Sequence, residues 1–200
     1  GSTAGGSGDG GVPAWLAGRA LNEWFQIPNT QGAGGSAVYA YCGMAFKPDT
    51  SEILIALAGG HGDSSDNRVA SIRLDRPSPT WVTRLGPSTS TTRDVAYYSD
   101  GRPSARHTYY STHYVAQVNR LMIIGAQFVY GSAVSFPTVD GFDLTTNTWD
   151  PAGTWPNTAG AFGRTLDDPR DIGDHEASIG LDADHAQVGI KSGERIIGNL

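Results

Sequence analysis

The chain has 200 residues, a formal net charge of −6 and 38% hydrophobic residues, to which 27 glycines add. That suits one or two globular domains and is too apolar for a disordered chain. The acidic balance argues against a nucleic-acid partner and against an anionic membrane surface, because both select basic proteins.

Cys42 is the single cysteine, so no internal disulfide framework is available. That leaves the compartment open. No apolar window is long enough for a membrane-spanning helix, which needs about 18 residues or more, so membrane insertion is not expected. The start of the chain shows neither the charged region nor the apolar stretch of a signal peptide.

Residues 1–11 are nearly all Gly, Ser, Thr and Asp and read as a flexible segment. Within it, residues 6–11 match G-x-G-x-x-G in form only, because no strand precedes them. Everything from residue 12 to residue 200 reads as one all-β portion. Val12–Ala20 suits a short helix with Pro13 in its first turn. Glu23–Ile27 (EWFQI) reads as a short strand, with Trp24 expected to complete a sheet formed mostly by later residues.

A first unit spans about residues 37–85. It holds a strand at Tyr39–Phe46, a turn at Lys47–Ser51, the apolar run EILIALAGG at Glu52–Gly60, a polar loop, VASIRL, and WVTRL at Trp81–Leu85. Residues 86–103 form a long polar connector, the kind that is usually functional or mobile. A second unit covers about residues 104–155, with HTYYSTHYVAQV as first strand, RLMIIGA, VDGFDL, the turn TTNT, and Trp149. Trp81 and Trp149, and Gly59 and Gly125, stand at nearly the same interval, and such a period points to a propeller or array. A third unit starts near residue 174 and runs to residue 200. Two units and a fraction do not close a ring, so a portion of a longer propeller is the expectation, with completion by further chains or some other packing of the sheets as the alternatives.

Three groups of side chains carry candidate chemistry. His61, Asp63, Asp66, Asn67 and Arg68 follow the double glycine, either as a ligand or calcium loop or as a turn capping its own backbone; the spacing is not that of an EF-hand. His107, Tyr109, Ser111 and His113 alternate as one face of a strand would, which offers a sugar or metal surface or plain inter-sheet packing. Asp171, Asp174, His175, Glu176, Asp182, Asp184 and His185 are the densest metal-capable run, read as an acidic turn unless a hairpin at 177–190 brings the two histidines together. Among the aromatics, Trp81 and Trp149 read as core. Tyr97, Tyr98, Trp155 and Phe162 lie in or beside connectors and are better placed to bind or to pin a loop. No nucleophile elbow and no phosphate loop is present.

A hydrophobic strand ended by Gly-Gly, a strand about ten residues on and a closing Trp, with Pro103–His107 before the second unit and FDLTTNTW at its end, resembles the kelch repeat over about residues 37–155. The second unit departs from it, having Gly125-Ala126 for Gly-Gly, and both units exceed the roughly 50 residues of the kelch period. The resemblance implies a β-propeller with ligand sites on loops at one face, here at His61, Asp63, Arg68, Tyr97, Tyr98, Arg106, His107 and Tyr109. It also brings in the galactose-oxidase-like copper radical enzymes, in which a cysteine on one blade bonds to a tyrosine on the next. Cys42 and Tyr109 or Tyr110 stand in that order, while the family's other ligands, a Tyr and two His, fall beyond this chain or are absent from it.

The expectation is therefore a non-catalytic binding or structural module that takes a protein or a glycan through its loops, in an extracellular, cell-surface or virion assembly. The alternative is a carbohydrate-active or copper radical oxidase. No cofactor is expected; copper and calcium are the metals such side chains are able to take.

Overall fold

The computed structural model describes residues 12–20, 22, 24–28, 30–32, 41–126, 128–132 and 134–157, together with the backbone of three strands at 178–182, 187–192 and 194–199. The described chain is all-β. Its first sheet is a four-stranded antiparallel meander of β1 (Ala45–Lys47), β2 (Glu52–Ala56), β3 (Val69–Arg73) and β4 (Trp81–Leu85). The second repeats this plan with β5 (Thr112–Val115), β6 (Arg120–Ala126), β7 (Phe136–Asp143) and β8 (Thr148–Trp149). A three-stranded antiparallel sheet of β9 (Ser178–Asp182), β10 (Gln187–Ser192) and β11 (Glu194–Asn199) follows, so the hairpin expected around 177–190 forms. Among the described residues the sheets do not close into a ring. Among the described residues no helix is long and apolar enough to cross a membrane.

The first two sheets are copies down to their turns. Pro48–Thr50 makes a 3-10 turn ended by Ser51 in the left-handed region, and Ala116–Val118 makes the same turn ended by Asn119. In both, the left-handed residue donates its N–H to the first carbonyl of the turn. Glu52 lies opposite Arg73 and Arg120 opposite Asp143. Ile72 faces Trp81 as Phe142 faces Trp149, so the two indoles occupy equivalent register positions. This register corrects one sequence match. Gly125 (φ 82) aligns not with Gly59 but with Leu57 (φ 55), two residues earlier. Both copies place a left-handed residue at this position, just past the end of β2 in one and at the bulge of β6 in the other, and one fills it with leucine at a cost of about 1–2 kcal/mol and the other with glycine.

Cross-strand partners share a face, so the packing between the sheets can be read directly. Leu54, Ala56 and Val69 of the first sheet form one core with Leu121, Ile123 and Phe142 of the second, and Trp149 packs against it. Trp81, the counterpart of Trp149, lies on the other face of its sheet, against Ile55 and Ala70. The two copies therefore pack front to back, not like face to like face. The rear of the second sheet is apolar too, with Val115, Met122 and Val139 under Trp155. Leu54, Leu121, Ile123 and Phe142 are fully buried, each worth about 1.5–3 kcal/mol.

Several sequence expectations need correction. Residues 24–27 form no strand, and Trp24 is 98% exposed, so it completes no sheet. Residues 12–20 make hydrogen-bonded turns on Pro13 and Leu16 and not a helix; Trp15 anchors the segment by donating to Leu74 O (2.9 Å). Of the expected strand Tyr39–Phe46, residues 41–44 lie outside any strand; Tyr41 has φ 63, and β1 begins at Ala45. The first strand of the second unit begins at Thr112 and not at His107, because Tyr109 (φ 37) turns the chain. His107, Tyr109, Ser111 and His113 therefore do not share a strand face.

His113 does sit in β5, opposite Met122. Its Nε2 is buried without a hydrogen-bond partner. Burial, opposed in part by a backbone hydrogen bond at Tyr110, pushes the imidazole below its ordinary value of 6.5. The unfolded chain then takes up a proton that the folded chain refuses, so stability holds above the ordinary value and falls as pH drops below it. The urea midpoint should decline between about pH 7.5 and about pH 5, and less so in His113→Phe. Equal declines would remove His113 from the account.

Candidate functional site

The loops after β2 and β6 meet the segments leading into β1 and β5 at one end of the sheet pair. The sequence prepares this meeting with Gly59 (φ 120) and Gly60 (φ 79), followed by His61 (φ 40). Gly60 N–H donates to Ser64 O (2.8 Å) and closes a tight loop. His61 N–H reaches Phe128 O (2.8 Å), and His61 O accepts from Gly131 N (2.7 Å), which ties the two loops together. Arg106 N–H donates to Leu57 O (2.8 Å), and Tyr109 N–H to Tyr41 O (3.1 Å).

These backbone ties gather five rings and a carboxylate. His107 is at the centre. Its ring lies 4.5 Å from that of Tyr41, 5.5 Å from those of Tyr109 and Phe128, and 6.0 Å from that of His61. Asp63 accepts from His107 Nε2 (2.9 Å), which leaves Nδ1 as the acceptor for the Tyr109 hydroxyl (3.1 Å). Burial, together with the charges of Tyr41 and Asp63, pushes the Tyr109 phenol up, so it stays protonated and donates. His107 is buried, while Tyr41 is 55% exposed, and His61 and Asp63 also face solvent. The result is an open aromatic surface whose polar edge is fixed from below by an Asp–His–Tyr chain.

The other candidates are spent on bracing. Arg68 grips Asp66 through Nε (2.8 Å) and Nη2 (2.6 Å). Asn67 is buried, donating to Ser88 Oγ and Pro103 O and accepting from Ser88 N, so it fastens the long connector to the loop. That part of the loop caps its own backbone. Arg106 is 0% exposed and donates to Asp140, Thr138, Ser104 O and Ala96 O. Tyr97 donates to Asp140 (2.9 Å) and Tyr98 to Ser65 O (3.0 Å). Burial, first among the causes, pushes both phenols up to about 12. Trp155 donates to Asp150 (2.9 Å) and packs under the second sheet.

Sequence reasoning missed Tyr41 and Phe128. Both are left-handed (Phe128 φ 46), a conformation that tyrosine and phenylalanine do not advertise. It also missed Asp140, for which an acidic residue inside the apolar strand β7 was the available signal.

Among the described residues no three His, Cys, Asp or Glu side chains gather as metal ligands. Asp171, Asp174, His175, Glu176, Asp184, His185 and Phe162 lie outside the described residues. Compared with family models and with curated proteins, the chain matches none.

Proposed function

We propose that this chain is part of a kelch-type β-propeller that acts as a non-catalytic binding module, taking a glycan or a protein surface on the aromatic loop face. The front-to-back packing of the two sheets supports the propeller. Successive blades of a ring are related by rotation, so each front meets the next rear, whereas a sandwich joins inner faces and leaves the outer ones polar. The apolar rear of the second sheet suits a further blade.

The observation that carries the binding reading is the exposed Tyr41 ring, tilted against His107 at 4.5 Å, beside His61 and Asp63. A ring face flanked by an imidazole and a carboxylate suits a sugar, whose apolar face stacks while its hydroxyls bond at the edge. An exported, cell-surface or virion assembly is the setting that goes with such a ligand. An array of neutral oligosaccharides should yield binders that Tyr41→Ala weakens by about tenfold, the loss expected for one uncovered ring. Its urea midpoint should not move, since Tyr41 is half in solvent. Binding unchanged in both Tyr41→Ala and His61→Ala would sink the reading.

One observation favours an oxidase as second reading. The hydrogen bond from Tyr109 N to Tyr41 O places Cys42, which is half-buried, next to Tyr109 along the paired backbones. The mass of the Cys42 peptide from the same preparation separates the two: a thioether to tyrosine supports the oxidase, and an unmodified thiol rejects it.

A further inference from the structure

At the opposite end of the first sheet lies a groove of about 440 Å³, within the range of small-molecule sites. Its walls are Glu52, Arg73, Arg76, Arg84, Ser78, Thr80, Thr83 and, from the β7–β8 turn of the second sheet, Asn147. Three guanidinium groups line it against one lining carboxylate, Glu52, with Asp75 beside the groove as a second, which leaves one positive charge over in a chain whose net charge is −6.

The donors are only partly used. Arg84 gives one hydrogen bond each to Ser71 Oγ (3.0 Å), Asn147 Oδ1 (2.9 Å) and Glu52 Oε1 (2.6 Å). Arg73 gives two to Asp75. Arg76 meets Asp75 only at 3.7 Å, and its side chain is 56% exposed. Each guanidinium carries five N–H groups, so all three keep donors to spare. Glu52 is buried behind this set and paired with Arg84. Hydroxyls of Ser78, Thr80 and Thr83 and the Asn147 amide complete the walls, and Val82, 52% exposed, adds an apolar strip.

We propose that this groove binds an acidic saccharide, a sugar bearing a carboxylate or a sulfate. The fork of Arg76 matches a planar or tetrahedral oxyanion, the N–H groups that Arg73 does not spend on Asp75 add to it, the hydroxyl and amide walls match ring hydroxyls, and the Val82 strip receives a sugar face. An acidic peptide would use the arginines but leave most of the hydroxyl wall without partners. The site goes beyond the aromatic face at the other end and does not depend on it.

The test is calorimetric titration of the whole chain with a galacturonic-acid tetramer, a sulfated disaccharide, a neutral glucose tetramer and a glutamate tetramer. The uronate or the sulfated sugar binds, the neutral sugar does not, and raising the salt weakens the interaction. Arg76→Ala, at an exposed position, reduces affinity by about tenfold, as loss of a charge-assisted contact does, with the urea midpoint unchanged. Tyr41→Ala leaves this affinity as it was. No binding of either acidic sugar, binding indifferent to Arg76→Ala, or equal affinity for the glutamate tetramer overturns the proposal.

Discussion

Arg106→Met will cost about 3–5 kcal/mol of folding stability, because it strands a buried carboxylate. Arg106 Nη1 lies 3.0 Å from Asp140 Oδ2, and both side chains are removed from water. The guanidinium also closes the connector by donating to Ala96 O and Ser104 O. Once it is gone, Asp140 keeps only the hydroxyls of Tyr97 and Thr138. Asp140→Leu leaves the opposite orphan, a charged guanidinium with two backbone carbonyls and a threonine. The double substitution should cost clearly less than the sum of the two, because it removes both charges together. Urea denaturation of the four proteins measures this. Additive losses under about 1 kcal/mol each would mean that the pair behaves as an exposed surface pair.

The same pair shows what could be read ahead of the structure. The apolar runs at Ile53–Ile55 and Leu121–Ile124, each bounded by turn residues, announce their strands, and β2 and β6 form there. The repeat was legible from the interval between the two indoles, whereas the turn at Ala116–Asn119 that matches Pro48–Ser51 lay hidden in a run that reads as strand; β5 ends at Val115. The first strands were overextended. Tyr41 and Tyr109 look like strand residues, yet tertiary contacts hold both in the left-handed region. Those kinks turn the two rings toward His107, so the failure of the local pattern and the building of the site have one cause. Of the loop candidates, sequence placed His61, Asp63, Arg68, Arg106 and His107 in one list. Only long-range contacts separate those that face outward from those that brace: Asp63 meets His107, whereas Arg106 turns inward to Asp140.

Gly60→Ala should dismantle the aromatic face. An added Cβ would stand 2.4 Å from Arg106 Cα and 2.6 Å from Phe128 O, both backbone atoms that no rotamer change relieves. The residue also has φ 79, which an alanine adopts only under strain. Strain and overpacking together set the cost at about 3 kcal/mol or more. Relief requires the loop to retreat from Phe128 and Arg106. That breaks the hydrogen bonds of His61 N to Phe128 O and of Gly131 N to His61 O. His61 and Asp63 then leave His107, so ligand affinity at this end falls together with stability. Gly62→Ala is the matched control two residues away, where an added Cβ meets nothing within 4 Å. It should change the urea midpoint and the binding little. The groove at the other end should keep its acidic-sugar affinity in any Gly60→Ala protein that remains folded, since none of its walls belongs to this loop. A Gly60→Ala protein as stable as the parent, with sugar binding at the aromatic face intact, would show that the double glycine is not what holds the face together.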